Sequence, residues 1–182
     1  KSDPRFLAFA IPFGWILDPK KFDVGIDLAI SKIKRISPQS VDPRVKNYHW
    51  LDLVNGMFEA YDRGHYTAVL IDEENNVLEG PGFNIFSVDE NGLKTPKFGV
   101  LEGITRQTAF RLASELDIPI KEKTIGSEEF INSKEAFATS TAGGIIPITR
   151  INGRKINNGK IGKITSLLKN LYWEKHTDPR WS

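Results

Sequence analysis

No cysteine occurs among the 182 residues, and methionine occurs once. That absence excludes a disulfide framework and any thiolate-bound metal, and it suits a reducing compartment, with cytoplasm the expectation. Long apolar runs are also missing, as is a charged-then-apolar leader, so no membrane partner is expected. Charge of one sign is nowhere concentrated. The formal net charge of +2 is dispersed, which argues against a nucleic-acid partner and leaves any anion site to local geometry. The three histidines, His49, His65 and His176, lack ligand spacing and imply no metal site.

What is present suits one globular domain: 40% apolar and 26% charged residues, with no internal repeat or second boundary. Residues 6–11 read as a buried strand, and because this stretch follows so soon after Lys1, the chain is expected to begin inside a larger protein. Val24, Ile26, Leu28 and Ile30 alternate with less apolar residues as a second strand. Ser37-Pro38 and Asp42-Pro43 then impose turn geometry ahead of Lys46. Leu51, Val54, Met57, Phe58 and Tyr61 follow helical spacing up to an Arg63-Gly64 stop.

Two hairpins are expected in the middle of the chain, Tyr66 to Ile71 with Val77 to Leu78, and Asn84 to Val88 with Leu93 to Thr95. Ala109, Leu112, Ala113 and Leu116 place one apolar stripe on a helix opening near Thr105. A short helix near Glu128, a strand from Ala136 to Thr139, a hairpin at Asn152-Gly153 and a last helix through Ile164 and Leu168 follow.

Four segments carry residue types suited to holding a phosphorylated, electron-withdrawing group. Lys46, on its constrained loop, is a nucleophilic amine if burial keeps it neutral. Glu79 precedes Gly80-Pro81-Gly82, where sparse side chains admit a planar ring and a carboxylate can hold a ring-nitrogen proton. Gly103-Ile104-Thr105 opens a helix whose free N–H groups and threonine hydroxyl suit phosphate oxygens. Ser140-Thr141-Ala142-Gly143-Gly144 combines hydroxyls with permissive backbone for a second set of oxygens. Each segment alone is equally an ordinary turn or helix start; their order together points to pyridoxal phosphate chemistry.

The segments VKNYHWLDLVNGMFEAYDRG, LEGPGFNIF, GVLEGITRQT and FATSTAGGIIPIT resemble the class IV aminotransferases, the fold-type IV pyridoxal phosphate enzymes. Among them, the branched-chain and (R)-selective amine transaminases look closest. The resemblance implies an α/β (α+β) domain with a curved, largely antiparallel sheet and outer helices, residues 1–182 forming the C-terminal domain. The family's N-terminal domain, with its phosphate-binding arginine and much of the substrate pocket, is expected to lie outside this sequence.

By position, Lys46 resembles the Schiff-base lysine and Glu79 the partner of the pyridine nitrogen. Leu101 resembles the residue packed on the ring face, Ile104, Thr105 and Thr141 resemble phosphate ligands, and Thr141 with Ala142 resembles the substrate-carboxylate site. The implied cofactor is pyridoxal 5'-phosphate, the substrates an amine or amino acid and a keto acid, and the assembly a homodimer. Trp50 stands near the tyrosine of branched-chain enzymes, and Phe83 where those enzymes often have glutamate, which favours the amine-transaminase side. A lyase of the same fold, resembling aminodeoxychorismate lyase, and a non-catalytic folding or dimerisation module are the alternatives.

Overall fold

The computed structural model describes residues 5–181. Its backbone is a nine-stranded sheet flanked by helices. The strands are β1 (Ile26–Lys34), β2 (Thr67–Ile71), β3 (Glu79–Gly80), β4 (Phe83–Asp89), β5 (Gly92–Pro96), β6 (Ile120–Lys123), β7 (Glu135–Ser140), β8 (Gly144–Ile151) and β9 (Arg154–Lys155). The helices are α1 (Lys21–Val24), α2 (Leu51–Asp62), α3 (Ile104–Glu115), α4 (Ser127–Ile131) and α5 (Lys163–Lys175). No helix among the described residues is long and apolar enough to cross a membrane.

The strand order is β2-β1-β8-β7-β4-β5-β6, with β3 beside β4 and β9 beside β8. Five of the eight pairings are antiparallel and three parallel, the parallel ones being β1 with β2, β1 with β8, and β5 with β6. The centre of the sheet is therefore antiparallel, and both ends close through crossovers that carry α2 and α3.

Alternation along the central strands sorts side chains onto two faces. Phe83 and Ile85 of β4, Ala136 and Ala138 of β7, and Ile146 and Ile148 of β8 join a core with Phe22, Ile125 and Phe130. Their neighbours Phe86, Phe137 and Ile145 point the other way, against Leu112 of α3 and Leu168 of α5. Phe86 and Phe137 stack there with centroids 4.7 Å apart.

Two sequence expectations change. Residues 6–11 form no strand and are exposed, Phe6 at 93%. Apolar composition specifies a strand only where a ladder partner lies within reach, and both sides of β1 are already occupied by β2 and β8. The incoming chain first bonds to the fold at Ile16, whose N–H donates to the Ala142 carbonyl at 2.7 Å. Val24, read as part of the second strand, ends α1 instead; a turn at Gly25 separates it from β1.

Helix α2 forms where its periodicity indicates, and it turns Leu53 and the small residues Gly56 and Ala60 inward, whereas Leu51, Phe58 and Tyr61 are exposed. A Cβ on Gly56 would lie 2.7 Å from Leu70 Cδ1, so a larger residue there would require the buried Leu70 side chain to shift where the helix packs on β1 and β2. The short edge strand β6, mostly charged and half exposed, carries no periodic signal in the sequence.

Truncation at Phe137, which is fully buried, is expected to cost ~3–5 kcal/mol in chemical denaturation. Phe6→Ala is expected to change stability by less than ~0.5 kcal/mol in the same assay. A large loss from the second variant would contradict the exposed placement of that stretch.

Candidate active site

Separate parts of the chain meet around one cavity of ≈ 510 Å³, Arg35 and Ile16 among its lining residues. Its walls include Lys46 and Trp50 from the loop before α2, Glu79 and Asn84 from β3 and β4, Leu101 to Arg106 at the start of α3, and Thr139 to Ala142 at the end of β7. All seven residues singled out in the sequence, Lys46, Glu79, Leu101, Ile104, Thr105, Thr141 and Ala142, line it.

The loop bearing Lys46 is organised by local bonds. The Val45 N–H donates to the Asp42 carbonyl at 3.2 Å, Asn47 Nδ2 donates to the Val45 carbonyl at 2.7 Å, and Arg44 pairs with Asp42 at 2.9 Å. Lys46 itself is exposed, where the sequence reading called for burial. The physical reason is the loop's course: it folds on its own turns, and its flanking residues Val45 and Tyr48 are exposed as well.

Glu79 is the reverse case, a carboxylate only 6% exposed. Its Oε1 accepts from Arg35 Nη2 at 3.2 Å and Nε at 3.4 Å, and its Oε2 accepts from the Leu101 N–H at 2.9 Å and more weakly from Asn84 Nδ2 at 3.5 Å. Burial pushes its pKa above the ordinary glutamate value, opposed by the Leu101 N–H and the Arg35 guanidinium and reinforced by the charge of Asp52. The Arg35 side chain is only 7% exposed and donates a second bond through Nη1 to Asp52 Oδ2 at 2.7 Å.

At the start of α3, the first-turn N–H groups have no intrahelical acceptor, and the N-cap Gly103 supplies no side chain to take them. Thr105 is buried there against the Tyr172 hydroxyl, whose pKa is raised by its own burial, while Ile104 is 80% exposed. A Cβ on Gly103 would lie 2.3 Å from Asn84 Oδ1, so glycine is required for the turn to sit against β4. Asn84 completes that joint, its Nδ2 donating to the Leu101 carbonyl at 2.9 Å. Thr141 is exposed on the turn after β7, Ala142 is partly buried, and the buried Thr139 Oγ1 has no hydrogen-bond partner among the described residues.

A description as "Amino-transferase class IV" matches residues 1–151. The chain belongs to the class IV aminotransferases. Its relatives in that family include a branched-chain-amino-acid aminotransferase of Salmonella typhimurium, 30% identical over 180 residues, covering 94% of this chain and 58% of that protein. The branched-chain aminotransferase of Thermoproteus uzoniensis, solved with norvaline, superposes with a TM-score of 0.85 at 34% identity, covering 94% of this chain and 57% of that one. That of Thermobaculum terrenum, solved in its PLP-form, gives 0.83 at 30% identity, over 91% and 56%. The chain thus spans about three-fifths of the length of the curated relatives it matches.

Sequence reasoning missed Arg35, Asp52, Asn84 and Thr139. Asn84 and Thr139 left a signal, as polar residues inside apolar strands that face each other in the β4–β7 register. Arg35 and Asp52 left none, because their pairing joins the end of one strand to the first turn of a later helix.

Because the folded-state pKa of Glu79 is raised, the folded protein holds this proton more tightly than the unfolded chain. The resulting stabilisation is full below the unfolded glutamate range and is lost as pH rises through the higher folded-state value. Glu79→Gln is therefore expected to gain stability relative to the parent as pH climbs through that window, read by denaturation at a series of pH values. An opposite slope would contradict the burial effect.

Proposed function

We propose that the protein is a pyridoxal 5'-phosphate-dependent aminotransferase that moves an amino group between an amine or amino acid and a keto acid. The observation that carries this reading is the meeting, in one cavity, of a lysine, a buried carboxylate and the N-terminus of an amphipathic helix. The lyase alternative draws no comparable support, since the relatives described above are named aminotransferases.

The residues fit the cofactor in three respects. Glu79 is a buried acceptor able to balance a protonated ring nitrogen, and Leu101 lies next to it as an apolar wall. The free N–H groups at Ile104 and Thr105, with the hydroxyls of Thr105 and Thr141, match a phosphate dianion. The orphaned Thr139 hydroxyl is a further buried donor in the same wall.

When bound, pyridoxal phosphate supplies an aldehyde that condenses with amines and a ring that draws electrons from the reacting carbon. Lys46 Nζ is the nucleophile for attachment and the base that removes the proton from the substrate's α-carbon. Glu79 holds the positive charge on the ring nitrogen while this proton moves. Thr105 and Thr141 fix the phosphate, so that Lys46 works from one side of the ring and the handedness of the product follows from position. The Thr141-Ala142 turn receives the substrate carboxylate.

Because Lys46 is exposed, the site calls for additional cover from outside this chain. We assign that cover to a preceding N-terminal domain and to a second copy in a homodimer, in a cytoplasmic setting that the cysteine-free sequence suits.

Adding pyridoxal 5'-phosphate to the complete protein is expected to give a red-shifted visible absorption band and amino transfer to a keto acid. Lys46→Ala is expected to remove the band and lower turnover by at least ~1,000-fold. Retention of both would contradict the reading.

A further inference from the structure

Arg35, Glu79 and Asp52 form a buried cluster in which one guanidinium serves two carboxylates. The contact with Asp52 is the shorter, 2.7 Å against 3.2 Å for Glu79, and the three side chains are 7%, 15% and 8% exposed for Arg35, Asp52 and Glu79. With both carboxyls ionised, the cluster carries one negative charge in excess. Such an excess inside a protein is costly unless a cation lies beside it.

Asp52 is held by more than Arg35. Its Oδ2 also accepts from the Ile36 N–H at 2.7 Å, and it occupies the first turn of α2, where a negative charge is favoured. Asp52 is thereby fixed against Arg35 and the Ile36 N–H, and the surplus charge falls to Glu79, which lines the cavity beside Arg35. The other charged groups lining that cavity are Lys46 from its loop, and Glu102 and Arg106 at the start of α3; Arg106 is engaged by Glu122 at 2.6 Å. Leu53, from the same turn as Asp52, adds only apolar surface.

We propose that Asp52 is a positioning residue that acts through Arg35, drawing the guanidinium toward itself so that Glu79 keeps an unneutralised charge for a cationic ring in the cavity. With Asp52 absent, Arg35 and Glu79 would form a closed, neutral pair, and the cavity would lose its preference for a protonated ring nitrogen. This inference rests on the placement of Glu79 at that nitrogen given above.

Asp52→Asn preserves shape and the acceptor for the Ile36 N–H while removing the charge. In the complete protein without cofactor, the Glu79 carboxyl carbon followed by NMR is expected to titrate at lower pH in this variant than in the parent. Asp52→Glu, which retains the charge, is expected to restore the parent titration. Affinity for pyridoxal 5'-phosphate is expected to fall on the order of tenfold in Asp52→Asn, with affinity for inorganic phosphate unchanged. An unchanged Glu79 titration, or an equal loss of affinity for both probes, would overturn the proposal. Failure of the Glu79 placement reads out separately, as parent-like cofactor binding in Glu79→Gln.

Discussion

A buried carboxylate that opens onto the cavity is the constraint around which this domain is arranged. Glu79 sits in a two-residue strand, walled by sheet on one side and by the turn before α3 on the other. Burial alone would neutralise it. Two donors from different parts of the chain, the Leu101 N–H and Arg35, oppose that tendency without closing the group off from the cavity. The site is thus a balance between desolvation, which favours the proton, and a small set of fixed dipoles and charges, which favour the anion.

The rest of the fold can be understood as support for that balance. Antiparallel strands β4 and β7 place Asn84 opposite Thr139, so one strand pair contributes a hinge to the α3 turn and a hydroxyl to the cavity wall. Parallel pairing of β1 with β2 requires a crossover, and that crossover brings both the Lys46 loop and Asp52 to the same side as Glu79. Close packing of α2 through Gly56 fixes the helix on β1 and β2, and with it the reach of Asp52 to Arg35. Sheet topology, helix packing and charge placement are consequently one problem.

What the sequence made legible were features whose cause is local. Turn residues, helix starts and the apolar stripe of α3 read correctly because the physics that forms them acts over a few residues. Lys46, Glu79, Thr105 and Thr141 were singled out because each stands in a segment of distinctive composition, and all four line one cavity. The misreadings share a different origin. Exposure of residues 6–11 and the exposure of Lys46 are set by which neighbours are in reach, and no window of sequence contains that information. Arg35 and Asp52 were invisible for the same reason: a buried ion pair between distant segments has no local signature.

In the proposed reaction the cavity maintains a positive charge on the ring nitrogen of its cofactor, opposite Glu79. Nitrogen-15 NMR of the complete protein loaded with ring-labelled pyridoxal 5'-phosphate reads that charge directly. The chemical shift of a protonated pyridine nitrogen is expected in the parent and of a neutral one in Glu79→Gln; a neutral nitrogen in the parent would contradict the placement of Glu79.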